Sequence, residues 1–182
     1  MISEPVAAVV VAALGATLDP GLDELLGAAG ARALREAMAA RARRWAAAVA
    51  PDRAFEATTM GAAAAALHGH AGPVLLAAPD VPGLDAAVAE MALGDLAAGC
   101  DLVLGAAHDA RPYLVGLPHV DEELMELAAG PFEGGLLAAM ADREITLGML
   151  RAERRLASGA DARAVGLDPV APADLRALVG AV

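Results

Sequence analysis

Short, continuous apolar runs closed by Gly, Pro or Asp alternate along this chain with longer stretches whose apolar positions recur at helical spacing. Residues 6–13 (VAAVVVAA) form a Val-rich run that feeds the turn-prone stretch 15–21, the pattern of a buried strand followed by a loop. From 22 to 49 the period is helical. Leu22, Leu25, Leu26, Leu34, Met38 and Trp45 stand against Arg32, Arg35, Arg41, Arg43 and Arg44 on the other side, and Gly27 and Gly30 predict a break into two helices. Residues 54–58 read as a second short strand and 61–67 as a small Ala-rich helix ending near Gly69. The run 73–78 (PVLLAA) is a buried strand, 79–83 a turn, and 84–98 a helix whose Leu84, Val88, Met91 and Ala92 share one face. Two more strands, 101–105 (DLVLG) and 113–117 (YLVGL), flank a polar connection. Helical sequence follows at 121–127, 134–141 and 145–156, then a last strand at 162–166 and a terminal helix at 172–179 with Pro near its first turn. Strands alternating with helices predict a three-layer α/β/α domain around a mostly parallel sheet, and the length fits a single domain over residues 1–182.

Composition narrows the function classes. Hydrophobic residues make up 58% of the 182 positions and charged residues 20%, with a mean hydropathy of +0.52, so the chain has ample material for a core. The longest apolar run, from Val6 to Leu14, is well short of the roughly 20 residues that span a bilayer, and the first residues carry no basic group of the kind that opens a secretory signal. No membrane partner and a cytoplasmic location are therefore expected. Cys100 is the only cysteine, which excludes an internal disulfide and a Cys-rich zinc site. The net charge of −11 has the wrong sign for neutralising nucleic-acid phosphates, so no nucleic-acid partner is expected. All 13 basic residues are Arg. With no lysine, a Schiff base and a Walker-type phosphate loop are both excluded.

In an open α/β sheet ligands bind beyond the carboxyl ends of the strands, so the turns after the apolar runs are the places to look. Four carry carboxylates: Asp19, Asp80, Asp109 beside His108, and Asp168. Pro79 and Pro82 bracket Asp80 and present it as one ligand of a hard divalent cation would be presented, or as the cap of the helix starting near Leu84. His108 is a general-base candidate. His68 and His70 fit a helix-end turn better than a metal site, and Ser3 and Ser158 do not follow strands as nucleophiles do. Arg151, Arg154 and Arg155 read as a solvated helix face, with a second copy of the chain as one candidate partner.

The segments PVLLAAPDVPGL and DLVLGAAHDARPYLVGL within residues 72–117 resemble a family of uncharacterised bacterial glycosyltransferase-like proteins related to the nucleotide-diphospho-sugar transferases. Residues 167–175 (LDPVAPADL) are similar to that family's terminal acidic motif. The resemblance implies a Rossmann-like GT-A fold, a nucleotide or nucleotide-sugar ligand, and metal-assisted transfer with Mg²⁺ or Mn²⁺. It further implies Asp80 and Asp168 as metal ligands, Asp109 and His108 as the acceptor-activating pair, and Gly15, Thr17, Arg111 and Tyr113 as substrate contacts.

The chain also departs from the family pattern. Residues 13–27 (ALGATLDPGLDELLG) carry three acids and no base where the family places a cationic loop for the diphosphate. A unit charge about 5 Å from a phosphate charge is worth roughly 3 kcal/mol at an effective dielectric near 20, so exchanging attraction for repulsion opposes diphosphate binding there. Ala110 and Arg111 replace two glycines, and Val170 stands at the central acid of the terminal motif. Arg111 then has two readings beside that of a solvated loop residue: receiving a phosphate, or replacing the missing cation by pairing with Asp80 and Asp109. The second describes a non-catalytic binding or assembly protein that keeps the GT-A fold.

Overall fold

The computed structural model describes residues 5–16, 19–130, 132 and 134–180. Its centre is a six-stranded sheet of β1 (Ala7–Val11), β2 (Ala54–Ala57), β3 (Val74–Ala77), β4 (Leu102–Ala106), β5 (Pro112–Leu117) and β6 (Leu147–Met149), in the order β2-β1-β3-β5-β4-β6. Pairings β1/β2, β1/β3 and β4/β6 are parallel, while β5 runs antiparallel to β3 and β4 on either side. The sheet is thus mixed and mostly parallel, with the antiparallel strand where residues 113–117 place it. Strands β1, β3 and β5 are buried along their whole length, which is why their sequences read as unbroken apolar runs and do not alternate.

The flanking helices are α1 (Pro20–Val49), α2 (Met60–Ala66), α3 (Ala86–Ala97), α4 (Glu122–Ala129), α5 (Gly134–Asp142), α6 (Gly159–Leu167) and α7 (Ala173–Val179). The predicted break in α1 falls at Gly27, whose φ of 70° suits glycine and almost no other residue; Gly30 remains helical. Beyond the kink, Ala42, Trp45 and Ala46 pack on the sheet, and the Trp45 indole N–H donates to the Asp85 carbonyl at the start of α3. A second apolar cluster joins α1 to α6 and α7 through Leu22, Leu34, Met38, Val165 and Leu175.

Two expected elements are corrected. Residues 162–166 are not a strand but the middle of α6, which opens with a reciprocal cap: the Ser158 hydroxyl accepts from the Asp161 N–H and the Asp161 carboxylate accepts from the Ser158 N–H. Residues 145–156 are not a helix. After Glu144, at φ 53°, the chain forms β6 beside β4 and then runs extended across the carboxyl ends of the sheet. Leu150 N–H donates to Leu104 C=O, His108 N–H to Glu153 C=O, Leu156 N–H to Asp80 C=O, and Asp19 N–H to Ala157 C=O. We call residues 150–157 the strap. Backbone pairing with three strand-end segments and the first loop, with burial of Leu150, Leu156 and Ala157, outweighs the helical propensity of its Arg, Glu and Leu residues.

Candidate functional site

The sheet order reverses between β1 and β3, so the loops after these strands diverge and leave the crevice where α/β proteins take ligands. Asp80 follows β3 at this point, but its carboxylate is fully engaged. Oδ2 accepts the Ala16 N–H at 2.7 Å from the loop after β1, and Oδ1 accepts Arg155 Nη1 at 2.7 Å from the strap. Asp80 does not cap the following helix; Asp85 does, through the Val88 N–H.

Arg155 is the centre of the arrangement, and its side chain is 5% exposed, so it is a buried cation and not part of a solvated helix face. Its Nη2 donates to the Pro112 carbonyl at 2.6 Å, at the start of β5. Its Nε lies 3.2 Å from Asp109 Oδ2, yet the N–H is not aligned on that oxygen, so this contact is ionic and the Nε–H has no hydrogen-bond acceptor among the described residues. Charge burial on this scale is tolerated only when the partner is close and oriented, and Asp80, itself 14% exposed, supplies that. Beside the pair lies a pocket of about 270 Å³, lined by Ala16, His108, Asp109, Arg154, Arg155, Ala157 and Asp161.

The other expected site residues divide around this centre. Asp109 and His108 reach the pocket wall, where the Asp109 Oδ1 also accepts the Arg111 N–H and closes a short turn. Arg111 forms no ion pair with either carboxylate among the described residues, and its buried Nε has no acceptor there; the cation that pairs with Asp80 and Asp109 is Arg155. Gly15 packs against Pro79 with its N–H on Ala12 C=O. Thr17 lies outside the described residues. Tyr113 is wholly buried, its ring so close over Gly105 that a Cβ there would stand 2.5 Å from Cζ, and its hydroxyl donates to the Arg151 carbonyl of the strap at 3.0 Å. In this conformation it offers no surface to a substrate. Burial, reinforced by Glu153, pushes its phenol up to about 12.

Asp168 stands apart. It ends α6, accepts the Val170 N–H, and lines a different cleft of about 390 Å³ with Arg41, Arg151, Arg154 and Pro172. Among the described residues no three His, Cys, Asp or Glu side chains come together where they could hold a metal ion. The donor set therefore does not fit a divalent cation as the resemblance implied: one expected ligand is saturated by an N–H and a guanidinium, and the other faces elsewhere. The largest cleft, about 500 Å³, lies between α1 and α3 against Trp45, Leu84 and Leu93, and neither Asp80 nor Asp109 lines it.

Arg155 and Ala16 were not legible as site residues. Arg155 meets Asp80 across 75 positions, and Ala16 meets it across 64 through a backbone N–H that any residue but proline could offer.

Comparison with known proteins places the fold. A crystal structure described as a "putative nucleotide-diphospho-sugar transferase" from Desulfovibrio desulfuricans G20 is similar with a TM-score of 0.69 and 16% identity, over 99% of this chain and 95% of that one. A homolog, from Mycobacterium sp. strain JC1, of Mycobacterium tuberculosis rv0371c is similar with a TM-score of 0.50 and 16% identity, over 97% and 98%. No family model matches the chain, and no curated protein does. The fold is accordingly that of a nucleotide-diphospho-sugar transferase-like α/β protein, met over the full length and at an identity that speaks for fold alone. Among the described residues, no helix is long and apolar enough to cross a membrane.

Proposed function

We propose that this chain is a transferase-like protein that keeps the GT-A fold for binding or assembly and does not carry out metal-assisted transfer. The observation that carries this reading is the closure of Asp80: both of its oxygens are held by donors of the chain itself, one of them a buried guanidinium. A cation approaching Asp80 must first displace Arg155, and doing so leaves a charge uncompensated in the interior, which costs about 3–5 kcal/mol. The acidic first loop works in the same direction, since Asp19, Asp23 and Glu24 repel a diphosphate that the fold would otherwise receive there.

A second reading keeps the enzyme. The match of fold over nearly the whole chain and the pocket walled by His108 and Asp109 at the strand ends favour transfer from a nucleotide donor to an acceptor hydroxyl. Calorimetric titration with Mn²⁺, alone and with a panel of nucleoside diphosphates and triphosphates, on wild type and Asp80→Ala separates the two. Absence of saturable, metal-dependent nucleotide binding at millimolar concentration is the expected result. Saturable binding that requires both Mn²⁺ and Asp80 would replace this proposal with the second reading.

A further inference from the structure

We infer that the strand-end site is built around an internal cation: the Arg155 guanidinium holds, through oxygens of three separate segments, the position a divalent cation would take, and its removal leaves a cation cage. The inference deepens the proposed function and rests on its premise that Asp80 is not free for metal in the wild type. Nη1 is 2.7 Å from Asp80 Oδ1 after β3, Nη2 is 2.6 Å from the Pro112 carbonyl oxygen at the start of β5, and Nε is 3.2 Å from Asp109 Oδ2 after β4. Two carboxylates and a main-chain carbonyl are the hard oxygen donors that Mg²⁺, Mn²⁺ and Ca²⁺ take. Here they converge on one charged group that is 95% buried.

The incomplete hydrogen bonding of that group is the second observation. A guanidinium placed as a hydrogen-bonding device presents all its N–H groups to acceptors, whereas this one leaves its buried Nε–H without one and keeps Asp109 at ionic range. Its positive charge is what the three oxygens share. Fixed Asp80 and Pro112 oxygens do not depend on Arg155 alone: Asp80 remains tied by the Ala16 N–H, and Pro112 sits in a strand paired on both sides. The cage therefore persists when the guanidinium is gone, with an uncompensated negative charge that recruits a cation.

The test uses the full chain as Arg155→Ala and Arg155→Gln, each prepared in parallel in EDTA and in Mn²⁺. Free Mn²⁺ is followed by its paramagnetic resonance signal and stability by thermal unfolding. One Mn²⁺ per chain, bound roughly tenfold or more tightly than by wild type, with a rise in Tm on binding and loss of both effects on adding Asp80→Asn, is the expected result. Variants that bind Mn²⁺ no better than wild type, or whose binding survives Asp80→Asn, would overturn the inference. So would variants that are insoluble in both preparations, because the ion should restore the fold that the guanidinium supports. Tight Mn²⁺ binding by the wild type through Asp80 is a different outcome, and it overturns the proposed function beneath the inference.

Discussion

Tyr113 shows what a single side chain does here. It is the chain's only tyrosine, wholly buried, and it ties β5 to the strap through the Arg151 carbonyl. With its phenol pushed up to about 12 by burial and then by Glu153, the folded state holds the proton more tightly than the unfolded chain, where a tyrosine titrates near 10. The contribution is whole below about pH 10 and is lost as pH rises toward 12. Wild type should therefore lose on the order of 2 kcal/mol more stability than Tyr113→Phe across that window, read from urea unfolding at a series of alkaline pH values. Parallel pH profiles for the two proteins would remove Tyr113 from the set of groups that hold the strap. The resemblance placed this tyrosine among substrate contacts; the close approach of its ring to Gly105, which sequence spacing does not reveal, makes it a core residue.

At the scale of elements, helix α6 is held at its start by the Ser158–Asp161 cap, and its packing on α1 and α7 forms a cluster separate from the sheet. Ser158→Ala should cost about 1 kcal/mol and leave the sheet intact, so a chemical-denaturation midpoint should fall while hydrogen exchange slows or quickens only in residues of α6 and α7. Loss of protection in β1 or β3 in that variant would contradict the separation. The strands β1, β3, β4 and β5 were legible because each is a buried apolar run bounded by turn residues, and the kink in α1 because Gly27 interrupts a long helical period. The Ser-Gly-Ala-Asp cap signature at 158–161 was equally present, and it outranks the short apolar pattern at 162–166 that looks like a strand. The strap was not legible. Arg, Glu and Leu at 151–156 satisfy a helical reading, and what overrides it is pairing with strand ends far away in the sequence.

For the whole molecule, the strap is what makes this sheet different from an open crevice. It crosses the carboxyl edge from β4 to the loop after β1, brings a buried positive charge to Asp80 and Asp109, and narrows the ligand-binding edge to a pocket of about 270 Å³. The carboxylates themselves were visible as turn residues after apolar runs, and so was the need for a compensating arginine. Its identity was not, because Arg111 is near Asp109 in sequence while Arg155 is near it only in the fold. The most direct test of an account centred on Arg155 is the anomalous scattering of crystals grown with Mn²⁺ and a nucleoside diphosphate. The account predicts continuous density from the Arg155 guanidinium to Asp80, with no manganese peak on that carboxylate. A manganese peak bound by Asp80, with Arg155 turned out of the site, would contradict it.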